Sequence, residues 1–427
     1  MATTTSILKA NIPLTPYRFY TDFLEEVANF YKNPAQEPII FKLFEKGDDE
    51  IFNSTYRIDP IVIPLLLSLV QQLKRYHNSP LQLLLYNNVA TIPVLEFLFK
   101  SQFFFIAGNG EFVSSPHGRS ILEFDKLYLG SFHGKKFRKE HLVRAYSITD
   151  DDLQDDLSRY EKEHEKIETD EDMRDFLISH YTYKTREHFN ELLGLNASTR
   201  EVQNIYMDIL TELITNSVLY SGTDTFALMF VDRFSTKFSI SDNGVGFENS
   251  MAKKSSLPYY LFGDLIADLE KNSVIRAIPK LILRNLFVVL EVLYYSSLKS
   301  RRGLFDLMMN VVLNSNGYFR IHCENSQLII SNRMKDELYT LNNIRTSIYK
   351  LHTDREFQKI TVEECERKIK EYTTPMKAAF ITFYERLAGK YTEDIKYSSI
   401  RFYKVKFRGV HLEVEIPNPQ NHGNIGN

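Results

Sequence analysis

The chain has no tryptophan, only two cysteines and no long uninterrupted apolar run among its 427 residues. The missing tryptophan decides nothing, but the other two scarcities do. Cys323 and Cys365 lie far apart in ordinary contexts, which argues against a disulfide framework or a thiolate metal site and fits a reducing compartment. The most apolar stretch, 278–293, is interrupted by Lys280, Arg284, Asn285 and Glu291. So many polar groups are costly at a bilayer centre, and the stretch reads as a buried helix rather than a membrane span. The first residues lack the order of a secretory signal, so a cytoplasmic location is expected. A net charge of −3 and a pI near 6.4 supply no overall basic field, so neither nucleic acid nor a membrane surface is an expected partner. What is present is apolar content, 43% of the chain, enough to bury large cores in two or three domains.

Residues 38–44 read as a strand, and Asp59-Pro60 as the start of a helix running to Tyr76. A second strand at 81–86, a helix at 93–100 and a strand-like run at Phe103-Phe104-Phe105-Ile106 follow. Strands alternating with helices imply a parallel or mixed sheet. The next segment is locally basic, with Lys135, Lys136, Arg138, Lys139 and Arg144. The balance then reverses over 150–175, with thirteen acidic residues against four basic ones, the composition of a solvated helix or connector.

Residues 208–247 organise the rest. Apolar residues at 205, 209, 210, 213 and 214 make one helical stripe. Glu212 and Asn216, four apart, project a carboxylate and an amide from one face of that helix. Two β-type runs, 225–231 and 237–241, end in Asp242-Asn243-Gly244-Val245-Gly246-Phe247. A buried strand entering that turn must break off sharply, and its glycines allow close backbone approaches.

Glu-x-x-x-Asn on a helix, followed by Asp-x-Gly-x-Gly after a strand, resembles the Bergerat-fold (histidine-kinase-like) ATP-binding domain. The wording Glu212-Leu213-Ile214-Thr215-Asn216-Ser217 looks most like the anti-sigma-factor serine kinase and topoisomerase versions. The resemblance implies that ATP and Mg2+ are the cofactors, with Asn216 ligating the metal and Asp242 accepting a hydrogen bond from the adenine amino group. Gly244 and Gly246 would open a nucleotide lid, and Glu212 would be the general base. Further on, Arg301-Arg302-Gly303-Leu304 resembles the family's second glycine box, where backbone N–H groups at a helix N-terminus hold phosphates. Gly303 stands alone there, and Arg301 and Arg302 could supply phosphate charge. The closing run 405–417 alternates as a strand and resembles the family's last one, with Val410 where a threonine is usual.

The implied fold class is α+β: a two-layer Bergerat sandwich, its mixed sheet carrying helices on one face, preceded by a smaller α/β domain. The expected organisation is an α/β accessory unit over 1–115, weakly resembling STAS-type domains but without their Asp-Ser pair, and a helical connector over 116–195. The nucleotide domain would span 196–417, with a lid over 248–302, a hairpin around Glu324-Asn325-Ser326 and a helical insertion over 336–395. A mobile tail would follow from 418. His180, which echoes a phosphoacceptor histidine, reads as an ordinary domain-entry histidine. The expected activity is Mg2+-dependent ATP hydrolysis coupled to lid closure and to a protein partner or second copy. Serine/threonine kinase action and nucleotide-gated binding with little turnover are the alternatives.

Overall fold

The computed structural model describes residues 4–32, 37–45, 54–108, 120–132, 134–135, 141–164, 166–252, 257–272, 275, 278–392 and 394–418. The expected tail beyond Asn418, and Lys136, Arg138 and Lys139 of the basic run, lie outside the described residues.

The chain is a mixed α/β protein with one parallel and one antiparallel sheet. In the first, β1 (Thr4–Leu8), β2 (Ile40–Phe44), β3 (Leu81–Leu84) and β4 (Leu122–Glu123) lie in chain order, every neighbouring pair parallel. The crossovers are α1 (Pro16–Arg18) and α2 (Leu24–Lys32), then α3 (Val62–His77), then α4 (Ile92–Lys100) and α5 (Phe103–Ala107). The run at Phe103 is therefore helical, contrary to the strand expected there. A short apolar run cannot be told apart by period alone; here Ile106 N–H closes a helical turn onto Gln102 O at 3.1 Å, and Leu122–Glu123 takes the place beside β3.

Next come β5 (His141–Tyr146), α6 (Asp151–Glu163), α7 (Asp170–Gly194), α8 (Ala197–Arg200) and α9 (Gln203–Ser221). They lead into β6 (Thr225–Val231), β7 (Ser235–Asp242), α10 (Gly246–Ala252), α11 (Asp264–Lys271), α12 (Lys280–Leu298) and α13 (Leu304–Met309). The chain closes with β8 (Tyr318–Ile330), α14 (Lys335–Glu356), α15 (Val362–Gly389) and β9 (Ile400–Pro417). The second sheet has the order β5-β6-β7-β9-β8, and every pair is antiparallel. Three expectations change. The sheet is antiparallel rather than mixed. Its edge strand β5 lies inside the stretch expected to be a connector, well ahead of residue 196. And 318–331 is no hairpin but one strand, bulged at Glu324 (φ 62°), because β9 begins early enough to pair Leu328 with Ile400.

The strands show why both faces of this sheet are covered. Ala227, Met229 and Val231 of β6 enter one core with α7, α9 and α12, while Phe226 and Leu228 enter a second core with the first sheet and α3. On β7 and β9 the second face is polar: Ser239 Oγ donates to Ile61 O at 3.1 Å, Lys237 pairs with Asp59 at 3.2 Å, and Tyr20 donates to the buried Glu413 at 3.2 Å. Buried polar groups are tolerated only when paired in this way. Helix α3, between the two sheets, is accordingly buried along its first ten residues. Helix α12 is long and apolar enough to cross a membrane but is mostly buried as a core helix.

Gly409 takes φ +104°, and a Cβ there would stand 1.9 Å from Asp242 O. Nothing in that contact can yield, since it is backbone against backbone. Gly409→Ala is expected to destabilise the fold by about 2–4 kcal/mol, read as a lower urea midpoint; an unchanged midpoint would show that β9 does not cross β7 this closely.

Candidate functional site

A cleft of about 860 Å3, partly open to solvent, lies between α9, the end of β7, α12 and the start of α13. Its lining includes Glu212, Asn216, Asp242, Gly246, Gly303 and Leu304. The two short patterns separated by 25 residues in the chain thus meet in one cavity.

Asp242 forms one end. Its carboxylate accepts hydrogen bonds from Gly244 N–H at 2.8 Å, Ser217 Oγ at 3.2 Å and Val410 N–H at 3.4 Å. Burial nevertheless pushes its pKa up to about 6 against those three donors. Val410 lacks a threonine's hydroxyl but contributes its backbone N–H to the same carboxylate. Gly244 does not line the cleft; it packs against Ser221, where a Cβ would come within 2.4 Å. Gly246, at φ +74°, turns the chain into α10. Around this end Ile240, Val245, Val410 and Leu412 make an apolar wall.

The other end is charged. Glu212, buried, takes both carboxylate oxygens to Arg174 at 2.6 Å, and its Oε1 also accepts from Lys299 at 2.8 Å and Asn216 Nδ2 at 3.1 Å. Burial alone would raise its pKa, but Lys299 and Arg174 outweigh it and hold the carboxyl at about 2. Lys299 itself is shifted down, chiefly by burial. Asn216 Oδ1 is buried with no hydrogen-bond partner, an open oxygen donor on a residue that lines the cleft. At Gly303 an added Cβ would sit 3.1 Å from Ser296 Oγ, so the chain comes close there.

Two expected phosphate ligands lie elsewhere. Arg301 pairs with Asp175 at 3.0 Å, and Arg302 lies 5.3 Å over the ring of Tyr349; neither lines the cleft. The reason is local backbone: Lys299 leaves α12 in an extended conformation, sending its own side chain to Glu212. Lys299 and Arg174 are the cations the sequence did not reveal. Lys299 adjoins the glycine box, a signal that could have found it, whereas Arg174 sits in an acidic stretch with no local signature. His180 is closed off against Asp156 Oδ2 at 2.8 Å.

A ligand that needs an ionised acceptor at Asp242 is expected to bind more weakly below neutrality. Because the raised pKa is about 6, affinity should hold at pH 7–8 and fall as pH drops through 6, by up to about tenfold per unit. Titrations from pH 5 to 8 check this, and a flat profile would remove Asp242 from ligand contact.

No protein-family model, curated protein or solved structure matches the chain.

Proposed function

We propose that the chain is an ATP-binding protein of Bergerat type, performing Mg2+-dependent ATP hydrolysis coupled to lid closure and to regulation of a protein partner. One observation carries the reading: Glu212, Asn216, Asp242, Gly246 and Gly303, read from separate motifs, line a single cleft with an apolar end and a cationic end. Adenine suits the apolar end, its amino group donating to Asp242. The phosphates suit the other, beside Gly303, with Lys299, which lines the cleft there, as their charge partner.

Among the described residues no group of three or more His, Cys, Asp or Glu could hold a metal ion. Asn216 Oδ1 would hold Mg2+ jointly with phosphate oxygens, the way this ion is usually bound, and bound there it would neutralise phosphate charge. Glu212 is the candidate base, but a carboxylate held at about 2 is a feeble proton acceptor. Loss of Arg174 or Lys299 from its oxygens raises its proton affinity, so turnover requires these cations to turn away from it. The same ion-paired Glu212 favours a second reading, a nucleotide-gated module that hardly turns over in this arrangement.

The fate of γ-labelled ATP separates these. Free phosphate from the wild type and about 100-fold less from Glu212→Ala supports hydrolysis. Label on a protein supports a serine/threonine kinase, and binding without release supports the gated module. If Asn216→Ala and Asp242→Asn both bind ATP as the wild type does, the assignment fails.

A further inference from the structure

The loop that carries Asp242 is held by the N-terminal unit. Asn243, next to Asp242 and 2% exposed, has its whole amide engaged by α3. Its Nδ2 donates to Ser68 O at 2.9 Å and to Gln71 Oε1 at 2.8 Å, and its Oδ1 accepts from Gln72 Nε2 at 2.7 Å. Gln72 Nε2 also donates to Arg408 O at 3.1 Å, and the Arg408 side chain returns to Gly244 O at 3.2 Å. Gln71 extends the bracket to Asp224, one residue before β6. Two of the segments that touch the Asp242 carboxylate, 242–246 and 408–410, are therefore tied to one helix, 171 and 336 residues away in sequence at Gln72.

The chemistry of these ties is selective. An amide has two donor hydrogens and an acceptor oxygen, and α3 answers each with the complementary group. Without them the turn between β7 and α10 would lose every hydrogen bond to the Asn243 side chain and keep the Gly244 N–H bond to Asp242, the Arg408 bond to Gly244 O and the Asn243 N–H bond to Thr223, and glycine turns carry many backbone states. A loop ordered in advance spares a ligand the cost of ordering it on binding.

We propose that α3 of the N-terminal unit sets the nucleotide affinity of the cleft, with Gln71 and Gln72 as positioning residues for the Asp242 loop. Any partner or signal that shifts this unit against the antiparallel sheet then changes that affinity. The proposal rests on the ATP reading above.

The test measures ATP affinity by calorimetry and melting temperature on the full chain. Gln72 is only partly buried, so water can replace its bonds, and Gln72→Ala is expected to weaken ATP binding about tenfold with little change in melting temperature. Gln72→Lys, which keeps a donor toward Asn243 Oδ1 and Arg408 O, is expected to recover most of the loss. Gln72→Glu, which puts an acceptor against two acceptors, is not. In an Asn243→Ala background, Gln72→Ala should cost less than half of what it costs alone, because the shared bond is already gone. Wild-type affinity in both Gln71→Ala and Gln72→Ala would overturn the proposal and leave the ATP reading standing. So would a loss that tracks melting temperature and that Gln72→Lys does not recover. A wild-type chain that binds no ATP would sink both.

Discussion

Asp242→Ala is expected to weaken ATP binding by 100-fold or more, on the order of 3 kcal/mol. Among the described residues the carboxylate is the only charged acceptor at the apolar end of the cleft, and Gly244 N–H, Ser217 Oγ and Val410 N–H all converge on it. Removing it takes away the ligand's acceptor and leaves three donors without their partner in a buried site. Asp242→Asn should fail as well: its amide oxygen can keep the Gly244 and Val410 N–H groups, but its NH2 then takes the Oδ2 position and sets a donor against the adenine amino group. Folding should survive. A carboxyl raised from 3.8 to about 6 by burial binds its proton more tightly in the native state. Its contribution to stability falls as pH rises from about 4 to 6 and stays lowered above that, so the ionised form is a burden at pH 7.5 that Asn relieves. Calorimetric titration with ATP and Mg2+, beside a thermal melt, reads both effects. An Asp242→Asn variant binding within threefold of wild type would remove adenine recognition from this end.

Arg345→Ala is expected to lower stability by about 3–5 kcal/mol, the usual cost of orphaning one member of a buried ion pair. Arg345, on α14, is 2% exposed, and its guanidinium spans the segment that leads from α12 to α13. Nε and Nη2 hold the Asp306 carboxylate at 3.1 and 2.9 Å, while the remaining donors go to Ser297 O at 3.2 Å, Lys299 O, and Arg301 O at 3.4 Å. Asp306 in turn accepts from Gly303 N–H at 3.2 Å. The arginine thus fixes the backbone on either side of Lys299 and Gly303, the two groups at the charged end of the cleft. Arg345→Lys keeps the charge but cannot reproduce the planar fork, so it should recover part of the stability and little of the nucleotide affinity. Urea unfolding with ATP titration checks this, and a loss below about 1 kcal/mol would show that the segment holds itself. The helical insertion is then a brace for the site rather than an appendage.

Much of the fold was legible because its periods are clean. The stripe of α9 ending at Gly222, which takes the left-handed conformation at φ 65°, marks an element whose local pattern and tertiary burial agree, and the alternation of β9 marks a strand. The site was legible where a motif lies within one turn or one loop: Glu212 with Asn216, Asp242 with Gly246. It was not legible where a functional group arrives from a distant element. Arg174 comes from α7, in a stretch whose composition says only that it is solvated, and the neighbouring Arg301 and Arg302 look better suited to phosphate than Lys299 does.

By itself, the sequence determined which residues could share the cleft, because helix pitch and a strand's abrupt end at glycine are local consequences of covalent geometry. Tertiary structure alone decided their chemical state and their surroundings. Glu212 is a held anion rather than a free base because two cations reach it, Arg174 from α7 and Lys299 from the segment just past α12. The Ser239, Lys237 and Glu413 face of the antiparallel sheet, which alternation would assign to water, is buried under the N-terminal unit. Charge pairing and burial are sums over neighbours that chain order does not contain, and they set both the proton affinity of Glu212 and the hold of α3 on the Asp242 loop.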